Sequence, residues 1–303
     1  MMLNDVIYDY NEGMMDKHTY IREMHDVHCT LYDYAEYLPS TDISKIEITD
    51  GEVIMTSRKY GVKMACDFKD QRAIPIETLN FGEYEGPDSE MFLKLVDGCA
   101  VMFDIGANFG WYTLITTKQY PNLRIDAFEP VLSTYNRLKT NIALNICHNT
   151  VLHNFGLSDK SGSSDINFYP EGSGNASLLN LTGKATNSIA AKFKTLNEVA
   201  YDKVDIIKCD VEGAELLVLK GGDIVISEKK PIILIELCEK WLNQFYTSRV
   251  EIIAYLKARG YSCFTANGEV LSPSNGEAHE GNNYFFLHDE KHKDLIQRYK
   301  GAA

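Results

Sequence analysis

The sequence predicts an α/β protein whose main part is a doubly wound parallel sheet with helices on both faces. From residue 100 onward, short apolar runs alternate with stretches of helical length. The runs are continuously apolar, as is typical of parallel strands buried on both faces. The runs at 101–106 and 124–130 also reach an acidic residue near their ends. Because sheets of this kind bind ligands at the carboxyl ends of their strands, we expect the functional site there.

The first region, residues 1–98, has a different texture and predicts a smaller helix and β-hairpin cap. Residues 13–38 indicate a helix with a tyrosine-bearing face. Asp50-Gly51 lies between alternating stretches, which is a strong hairpin signal, and residues 62–68 continue as another strand. A helix is predicted over 86–96, with Asp88 or Ser89 as its N-cap.

The second region, residues 99–303, carries the predicted sheet. The chain order alternates strands with helices, and Gly260 is expected to stop the helix that begins near residue 249. Strands are predicted at 101–106, 124–130, 150–157, 204–210, 231–237, 261–264 and 283–288, and helices at 109–120 and 131–145. Residues 158–190 are dense in Ser, Gly and Asn and are too long for an ordinary connection. They are expected to be either a mobile substrate loop or a disordered insertion.

Composition and net charge limit the classes of partner that this chain is expected to bind. Lys and Arg number 30 against 43 Asp and Glu, which gives a net charge of −13. So acidic a chain is expected to bind neither nucleic acid nor an anionic membrane, and a small-molecule substrate remains. The seven cysteines are scattered without metal-like spacing, which is typical of a reducing compartment. With no signal peptide and no apolar run near the roughly 20 residues of a membrane helix, we expect a cytoplasmic protein. Homo-oligomerisation stays open.

The turn at residues 104–110 follows the first strand of the sheet. Gly106 and Gly110 permit a tight turn, and Asn108 adopts a left-handed conformation more readily than most residues. A dinucleotide fingerprint would need glycine where Asn108 stands, and Asp104 would repel a phosphate. Glu129 ends the next strand, where a carboxylate can accept hydrogen bonds from ribose hydroxyls. An adenosine with a cationic amino acid tail fits this pattern, and S-adenosylmethionine is such a molecule.

At this point the sequence resembles a known family. The segments VMFDIGANFGWYT, DAFEP, LKTNIALN, VDIIKCDVEGAE and IILIE, in this order, are similar to those of FkbM-type methyltransferases. The resemblance covers about 100–290 and implies a class I S-adenosylmethionine-dependent O-methyltransferase with a Rossmann-like sheet. The family is often associated with natural-product and surface-sugar pathways, so the resemblance implies a hydroxyl acceptor on a saccharide.

The resemblance also implies roles for single residues. The amino acid end of the cofactor would be held by the first turn, the ribose by the second strand end, and the adenine by the third. These implied cofactor residues are Asp104, Gly106, Ala107, Asn108, Gly110, Tyr112, Thr113, Glu129, Pro130, Phe155, Gly156 and Leu157. Tyr112 and Thr113 would reach the cofactor carboxylate, although inward packing explains Tyr112 equally well.

Acidic residues at two further strand ends are the catalytic candidates. Asp210 and Glu212 follow the fourth strand, and Glu236 ends the otherwise apolar fifth. A carboxylate among buried strand residues needs a partner, which favours a function for Glu236. Glu215 is better explained by helix capping. His153 and His288 sit at strand ends and are weaker candidates for a base.

Two versions of the chemistry stay open. Because Asp210 and Glu236 should be neighbours, their repulsion would be offset by a divalent metal bound to both, which would acidify a sugar hydroxyl. Without a metal, one of the pair would act as general base and the other would position the acceptor.

The acceptor is expected to be a nucleotide-activated sugar or a surface polysaccharide unit. Residues 56–73 hold five basic and two acidic side chains and could receive a diphosphate, although a solvated hairpin face explains them as well. The alternatives are a nucleotide-sugar oxidoreductase or epimerase on the same fold, and a non-catalytic binding module.

Overall fold

The computed structural model describes residues 2–67, 69–169, 172–181, 187–200, 203–276 and 281–301. Three sheets are present in these ranges, with eight, four and three strands. Within them, no helix combines the length and the hydropathy that crossing a membrane requires. All seven cysteines are free thiols.

The N-terminal elements are a helical hairpin and a three-stranded sheet, followed by two helices. As predicted, Asp50 and Gly51 form the turn of a hairpin between the first two strands. The elements are α1 (Leu3–Asn11), α2 (Lys17–Tyr37), β1 (Ile43–Thr49), β2 (Glu52–Ser57), β3 (Lys63–Ala65), α3 (Ile74–Phe81) and α4 (Gly86–Val96).

The predicted N-cap of α4 is wrong. The helix begins at Gly86, and Glu85 precedes it in a left-handed conformation with φ 43°. Pro87 lies in the first turn, where its fixed φ and missing N–H are tolerated. The helix therefore starts before Asp88 and Ser89, and Asp88 accepts a hydrogen bond from Asn283 instead.

The remaining elements alternate as the sequence predicts and build the large sheet. In chain order they are β4 (Val101–Ile105), α5 (Trp111–Gln119), β5 (Arg124–Phe128), α6 (Leu132–Leu144), β6 (Thr150–His153), β7 (Gly156–Leu157), β8 (Gly162–Tyr169), β9 (Gly172–Ser177), β10 (Asn187–Lys194), α7 (Leu196–Val199), β11 (Ile206–Cys209), α8 (Glu215–Gly221), β12 (Ile232–Glu236), α9 (Glu239–Leu242), α10 (Arg249–Lys257), β13 (Tyr261–Ala266), β14 (Leu271–Pro273), β15 (Asn283–His288) and α11 (Lys293–Tyr299). The fold class is confirmed: a doubly wound, Rossmann-like α/β sheet.

The sheet is mixed rather than wholly parallel. Its strand order is β14-β13-β15-β12-β11-β4-β5-β6, and the five strands from β12 to β6 are parallel. β15 lies between β12 and β13 and runs antiparallel to both. A parallel return needs a crossover of a dozen or more residues, usually a helix. No helix is described between β13 and β15, so the chain returns in the opposite direction.

Helices cover both faces of the sheet, and a separate apolar core fills each face. One core joins Met102 of β4 and Ile206 of β11 to α4, α5 and α11. The other joins Phe103 and Ile207, the next residues along the same strands, to α8 and α10. Because successive strand residues point to opposite faces, continuously apolar strands are what two cores require.

Two asparagines bind the N-terminal sheet to the second region. Asn141 lies in α6, and Asn145 directly follows this helix. Asn145 accepts from the Lys63 amide and Asn141 from the Ala65 amide, both at 2.8 Å. Asn141 is fully buried and also donates to the Phe109 carbonyl. The edge of β3 is thereby bound to the turn that precedes α5. The proposed boundary at residue 98 stays a prediction.

The alternative of a disordered insertion at 158–190 is wrong for the residues described, while a role as a substrate loop stays a prediction. β8, β9 and β10 pair antiparallel, and β10 also pairs with β7. Ile166 and Ala191 are buried on one face of this small sheet against Val131. The alternation of apolar and polar residues at 165–169 and 188–194 is the signal of a half-buried sheet, which the high Ser, Gly and Asn content conceals.

Candidate functional site

Two adjoining cavities lie at the carboxyl ends of the parallel strands. The first is roofed by the small sheet of β7 to β10 and floored by the turns after β4, β5 and β11. The enclosed part of this cavity has a volume of about 70 Å³. The empty space reaches about 640 Å³ when the open mouth is included. It is lined by Gly106, Asn108, Glu129, Pro130, Gly156, Leu157, Ile166, Ala176, Ser177, Leu178, Phe193, Asp210, Val211, Glu212 and Ala214.

The turn after β4 packs tightly against the turn after β11. Gly106 has φ 74°, and a Cβ on it would lie 1.8 Å from the Asp210 carbonyl oxygen. Only glycine tolerates both this φ and this approach. Asn108 follows in the left-handed region at φ 50°. Together these residues place the backbone of 106–108 along the cavity wall, as the sequence predicts.

Glu129 braces this turn from the neighbouring strand. Its Oε2 accepts from the Asn108 amide at 3.0 Å and its Oε1 from the Val131 amide at 2.9 Å. Burial raises the pKa of the Glu129 carboxyl to about 7, although these two amides oppose the shift. Each carboxylate oxygen keeps a second lone pair, so the group can still accept hydrogen bonds from a ligand.

The predicted cofactor residues divide into two sets. Six of them line the first cavity: Gly106, Asn108, Glu129, Pro130, Gly156 and Leu157. The others do not line it: Asp104, Ala107, Gly110, Tyr112, Thr113 and Phe155. Asp104 is buried, and its Oδ2 accepts from the amide and the hydroxyl of Thr113 at 3.1 and 2.6 Å. Tyr112 packs inward, and its hydroxyl donates to Glu85 at 2.6 Å. Ligand contacts by this second set stay predictions.

The three acidic candidates do come together at the ends of β11 and β12. A carboxylate oxygen from each of Asp210, Glu212 and Glu236 lies within 4.8 Å of the other two. Glu212 has φ 52°, a left-handed conformation that is strained for a residue with a Cβ. Burial, and then the charge of Asp210, raise the pKa of the Glu212 and Glu236 carboxyls well above their usual range. Carboxyls with raised pKa values are typical of groups that transfer protons at functional sites.

Lys208 is a residue of this site that the sequence analysis did not select. Its side chain lies under the turns, with Nζ 3.1 Å from Asp210 Oδ2 and 3.3 Å from the Gly106 carbonyl oxygen. Burial alone would lower the pKa of Lys208, but the nearby carboxylates of Asp210, Asp104 and Glu85 raise it. The signal was present: a lysine inside the apolar strand VDIIKCD needs a buried partner.

Glu215 does not cap α8, whose N-cap Ala214 has no side-chain cap bond; it braces the turn before the helix instead. Its Oε1 accepts from the amides of Val211 and Gly213, both at 3.1 Å, and the side chain is 1% exposed. Burial raises the pKa of the carboxyl to about 7, with the charge of Asp210 contributing. The folded protein therefore binds this proton more tightly than the unfolded chain does.

Glu215→Gln is expected to change the pH dependence of stability. Since the folded pKa lies above the unfolded one, this group costs stability as pH rises from about 4.5 through 7. Glutamine removes that cost, so the variant should gain up to about 3 kcal/mol relative to wild type between pH 5 and pH 8. Urea unfolding at several pH values measures this. The exposed Glu228→Gln serves as control; parallel stability profiles for Glu215→Gln and wild type would contradict the prediction.

Neither weaker histidine candidate lines the two cavities. His153 bonds Asp126 at 2.8 Å and stacks on Phe128. His288 is 5% exposed, and its Nδ1 accepts from the Glu290 and Lys291 amides, both at 3.3 Å. Both histidines therefore have local structural partners.

The second cavity opens beside the first and shares Asn108, Asp210 and Glu212 with it. Its volume is about 310 Å³, within the range of small-ligand pockets. The loop between α3 and α4 forms the opposite wall through Glu83, Tyr84 and Glu85. No functional role is predicted for these residues from the sequence. Glu236 lines only this second cavity.

Comparison with known proteins identifies the sheet region. Residues 104–263 match the family profile described as "Methyltransferase FkbM domain". Methyltransferase 1 of Beauveria bassiana is 30% identical over 52% of this chain and 71% of that protein. Methyltransferase sdnD of Sordaria araneosa is 31% identical over 40% and 59% of the two chains. Hexuronic acid methyltransferase AglP of Haloferax volcanii is 32% identical over 40% and 49%. The aligned segment spans about half to seven tenths of these relatives.

Proposed function

Because the chain belongs to the FkbM methyltransferase family, we propose that it transfers the methyl group of S-adenosylmethionine to a hydroxyl oxygen of a saccharide. One observation carries the proposal. The two cavities meet at Asn108, Asp210 and Glu212, so a donor in the first would face an acceptor in the second. Family membership also sets aside the alternative of a nucleotide-sugar oxidoreductase or epimerase.

The first cavity supplies groups that suit the methyl donor. The Gly106–Asn108 turn offers backbone to the amino acid part, and Glu129 offers carboxylate lone pairs to the ribose. Gly156 and Leu157 give the adenine an apolar wall. The carboxylate of Asp210 favours the positive sulfonium. The relative from Haloferax volcanii, whose name assigns it a hexuronic acid, supports a sugar as the acceptor but not the charge of that sugar.

The proposed reaction is an in-line displacement at the methyl carbon. The acceptor oxygen attacks the methyl group from about 3–3.5 Å, and the carbon–sulfur bond breaks as the carbon–oxygen bond forms. The sulfur leaves as a neutral thioether, and the hydroxyl proton passes to the Glu236 carboxylate. Burial and the charge of Asp210 raise the pKa of Glu236, which makes its carboxylate a stronger base.

The sequence leaves a divalent metal open as an alternative to this base. Three carboxylates with oxygens within 4.8 Å are a donor set that a hard cation accepts. However, the Lys208 ammonium lies 3.1 Å from Asp210 Oδ2 and would repel a metal on the same carboxylate. We therefore propose the metal-free version.

Glu236→Gln is expected to lower kcat by about 10²- to 10⁴-fold because the amide cannot accept the proton. The dissociation constant of S-adenosylhomocysteine should stay within about twofold of wild type, since Glu236 does not line the first cavity. Calorimetric titration and a mass-spectrometric screen of glycans with labelled methyl donor measure these quantities.

The same preparation tests the remaining alternatives. Tight binding of NAD with no binding of S-adenosylmethionine would refute the proposed cofactor. Binding of the cofactor with no methylated glycan in the screen would favour the non-catalytic binding module. Loss of turnover after EDTA treatment, restored by Mg²⁺, would replace the general base with the metal version.

A further inference from the structure

The second cavity is lined mainly by acidic residues. Six of its ten lining residues are acidic: Glu77, Glu83, Glu85, Asp210, Glu212 and Glu236. Arg72 is the one basic residue among the lining residues, and it forms an ion pair with Glu77. Lys208 lies behind the wall and neutralises part of the charge of Asp210. The lining residues together therefore present a net negative field to whatever enters.

The carboxylates at the inner end of this cavity lack sufficient partners within the described part of the chain. Glu212 Oε2 is buried and has no hydrogen-bond partner. It belongs to the group of three carboxylates whose oxygens lie within 4.8 Å of one another. Buried carboxylates at this separation cannot all ionise unless a positive charge joins them. A cationic ligand would supply that charge together with donors for the free oxygens.

Three of the five basic residues expected to receive a diphosphate are engaged elsewhere. Arg58 donates to the carbonyl oxygens of Leu38 and Ile43. Lys59 is paired with Glu90, and Lys63 lies 3.2 Å from Glu47. None of these three basic residues lines the second cavity. A nucleotide diphosphate would thus meet carboxylates in the cavity without a basic partner among its described walls other than Arg72.

We infer that the acceptor is an amine-bearing saccharide, an amino sugar whose ammonium group lies among the carboxylates of the second cavity while a nearby hydroxyl faces the methyl donor. This inference rests on the proposed function and narrows its substrate class. An ammonium offers up to three donors to carboxylate oxygens, and carboxylates line both the inner and the outer wall. An acceptor with a phosphate or carboxylate near the reacting hydroxyl would be repelled.

A single positive charge suits this cavity better than a divalent ion. A divalent cation bound to Asp210 would lie close to the Lys208 ammonium, whose Nζ is already 3.1 Å from Asp210 Oδ2. An ammonium on the acceptor can settle towards Glu83 on the far wall, whereas Glu85 already interacts with the Lys208 charge. The spread of the acidic residues along the cavity therefore favours the organic cation.

Binding of three matched sugars tests the inference. Protein saturated with S-adenosylhomocysteine is titrated at constant ionic strength with glucosamine, glucose and glucuronate, and binding is followed by ligand-observed NMR. Glucosamine is expected to bind at least about tenfold more tightly than glucose, and glucuronate more weakly than glucose. In Glu83→Gln and Glu85→Gln the advantage of glucosamine should shrink several-fold. It should persist in Glu36→Gln, which removes the same charge from the exposed face of α2.

Several outcomes of this titration would contradict the inference. Equal affinities, a preference for glucuronate, or no measurable binding of glucosamine would overturn the inference. So would a glucosamine preference that appears only with Mg²⁺ and vanishes in EDTA, because a metal would then hold the cluster. Two variants are used since Glu85 also accepts from Tyr112, and its loss can disturb the fold. The titration is repeated without S-adenosylhomocysteine, so that sugar binding is also measured on the protein alone. Failure of the protein to bind S-adenosylhomocysteine would refute only the proposed function.

Discussion

Gly106→Ala is expected to destroy cofactor binding and to destabilise the protein by several kcal/mol. The new Cβ would lie 1.8 Å from the Asp210 carbonyl oxygen and 3.3 Å from a Val211 methyl group. Both obstacles belong to the turn after β11, and β11 is paired with β4 from Met102 to Ile105, directly up to the two turns, so neither turn can move alone. The left-handed φ of 74° adds roughly 1–2 kcal/mol of backbone strain for a residue with a Cβ.

Gly98→Ala is the matched control for this variant. Gly98 has φ 84°, but a Cβ there would meet nothing within 4 Å. It should therefore cost about 1 kcal/mol, the conformational penalty without the collision. Calorimetry with S-adenosylhomocysteine and urea unfolding measure both effects. We expect a loss of affinity above 100-fold for Gly106→Ala and wild-type affinity for Gly98→Ala. Similar losses in both variants would show that strain, and not the contact with Asp210, limits residue 106.

Lys208→Met is expected to reduce the free energy of unfolding by about 3–5 kcal/mol at pH 8, because it leaves buried carboxylates without their cation. Lys208 is 8% exposed, and its ammonium lies 3.1 Å from Asp210, with Asp104 and Glu85 also close enough to raise its pKa. The loss should be smaller at pH 5, where protonation relieves the repulsion among the carboxyls. Urea unfolding at the two pH values gives the comparison.

Two further variants make the result on Lys208 interpretable. Lys208→Arg keeps the charge and should lose less than the methionine variant at pH 8. Lys220→Met removes an exposed lysine of α8 and should stay within about 0.5 kcal/mol of wild type. If Lys208→Met lost the same free energy at pH 5 as at pH 8, packing rather than charge would explain its effect.

The strands and their order along the chain could be predicted from the sequence because their signals are local. Continuous apolar runs such as VMFDI and PIILIE can be buried only in a sheet covered on both faces, and the turns after them carry the polar groups. Residues Asp210 and Glu236 could be expected to meet, since the carboxyl ends of neighbouring parallel strands share one edge. The cluster with Glu212 confirms that juxtaposition, while the catalytic roles stay predictions.

Other features depend on contacts between distant segments and had no local signal strong enough to read. The wall formed by Glu83 and Glu85 faces the site because α4 packs on α5 in one core and Tyr112 donates to Glu85. The antiparallel position of β15 depends on where the chain can return, which composition does not reveal. The small sheet of β8 to β10 was hidden by residues that usually form loops, although its alternation was visible.

The position of β15 has a consequence for how this chain folds as it is synthesised. β12 and β13 are separated in the sheet by a strand that leaves the ribosome after both of them. Until residues 283–288 have emerged, the edge of β12 at Ile233 and Ile235 has no partner strand, and the apolar Phe285 and Phe286 are not yet available to either core. Unpaired apolar strand edges are sites of aggregation and chaperone capture. The large sheet therefore becomes continuous late in synthesis, when β15 pairs with β12 on one side and β13 on the other.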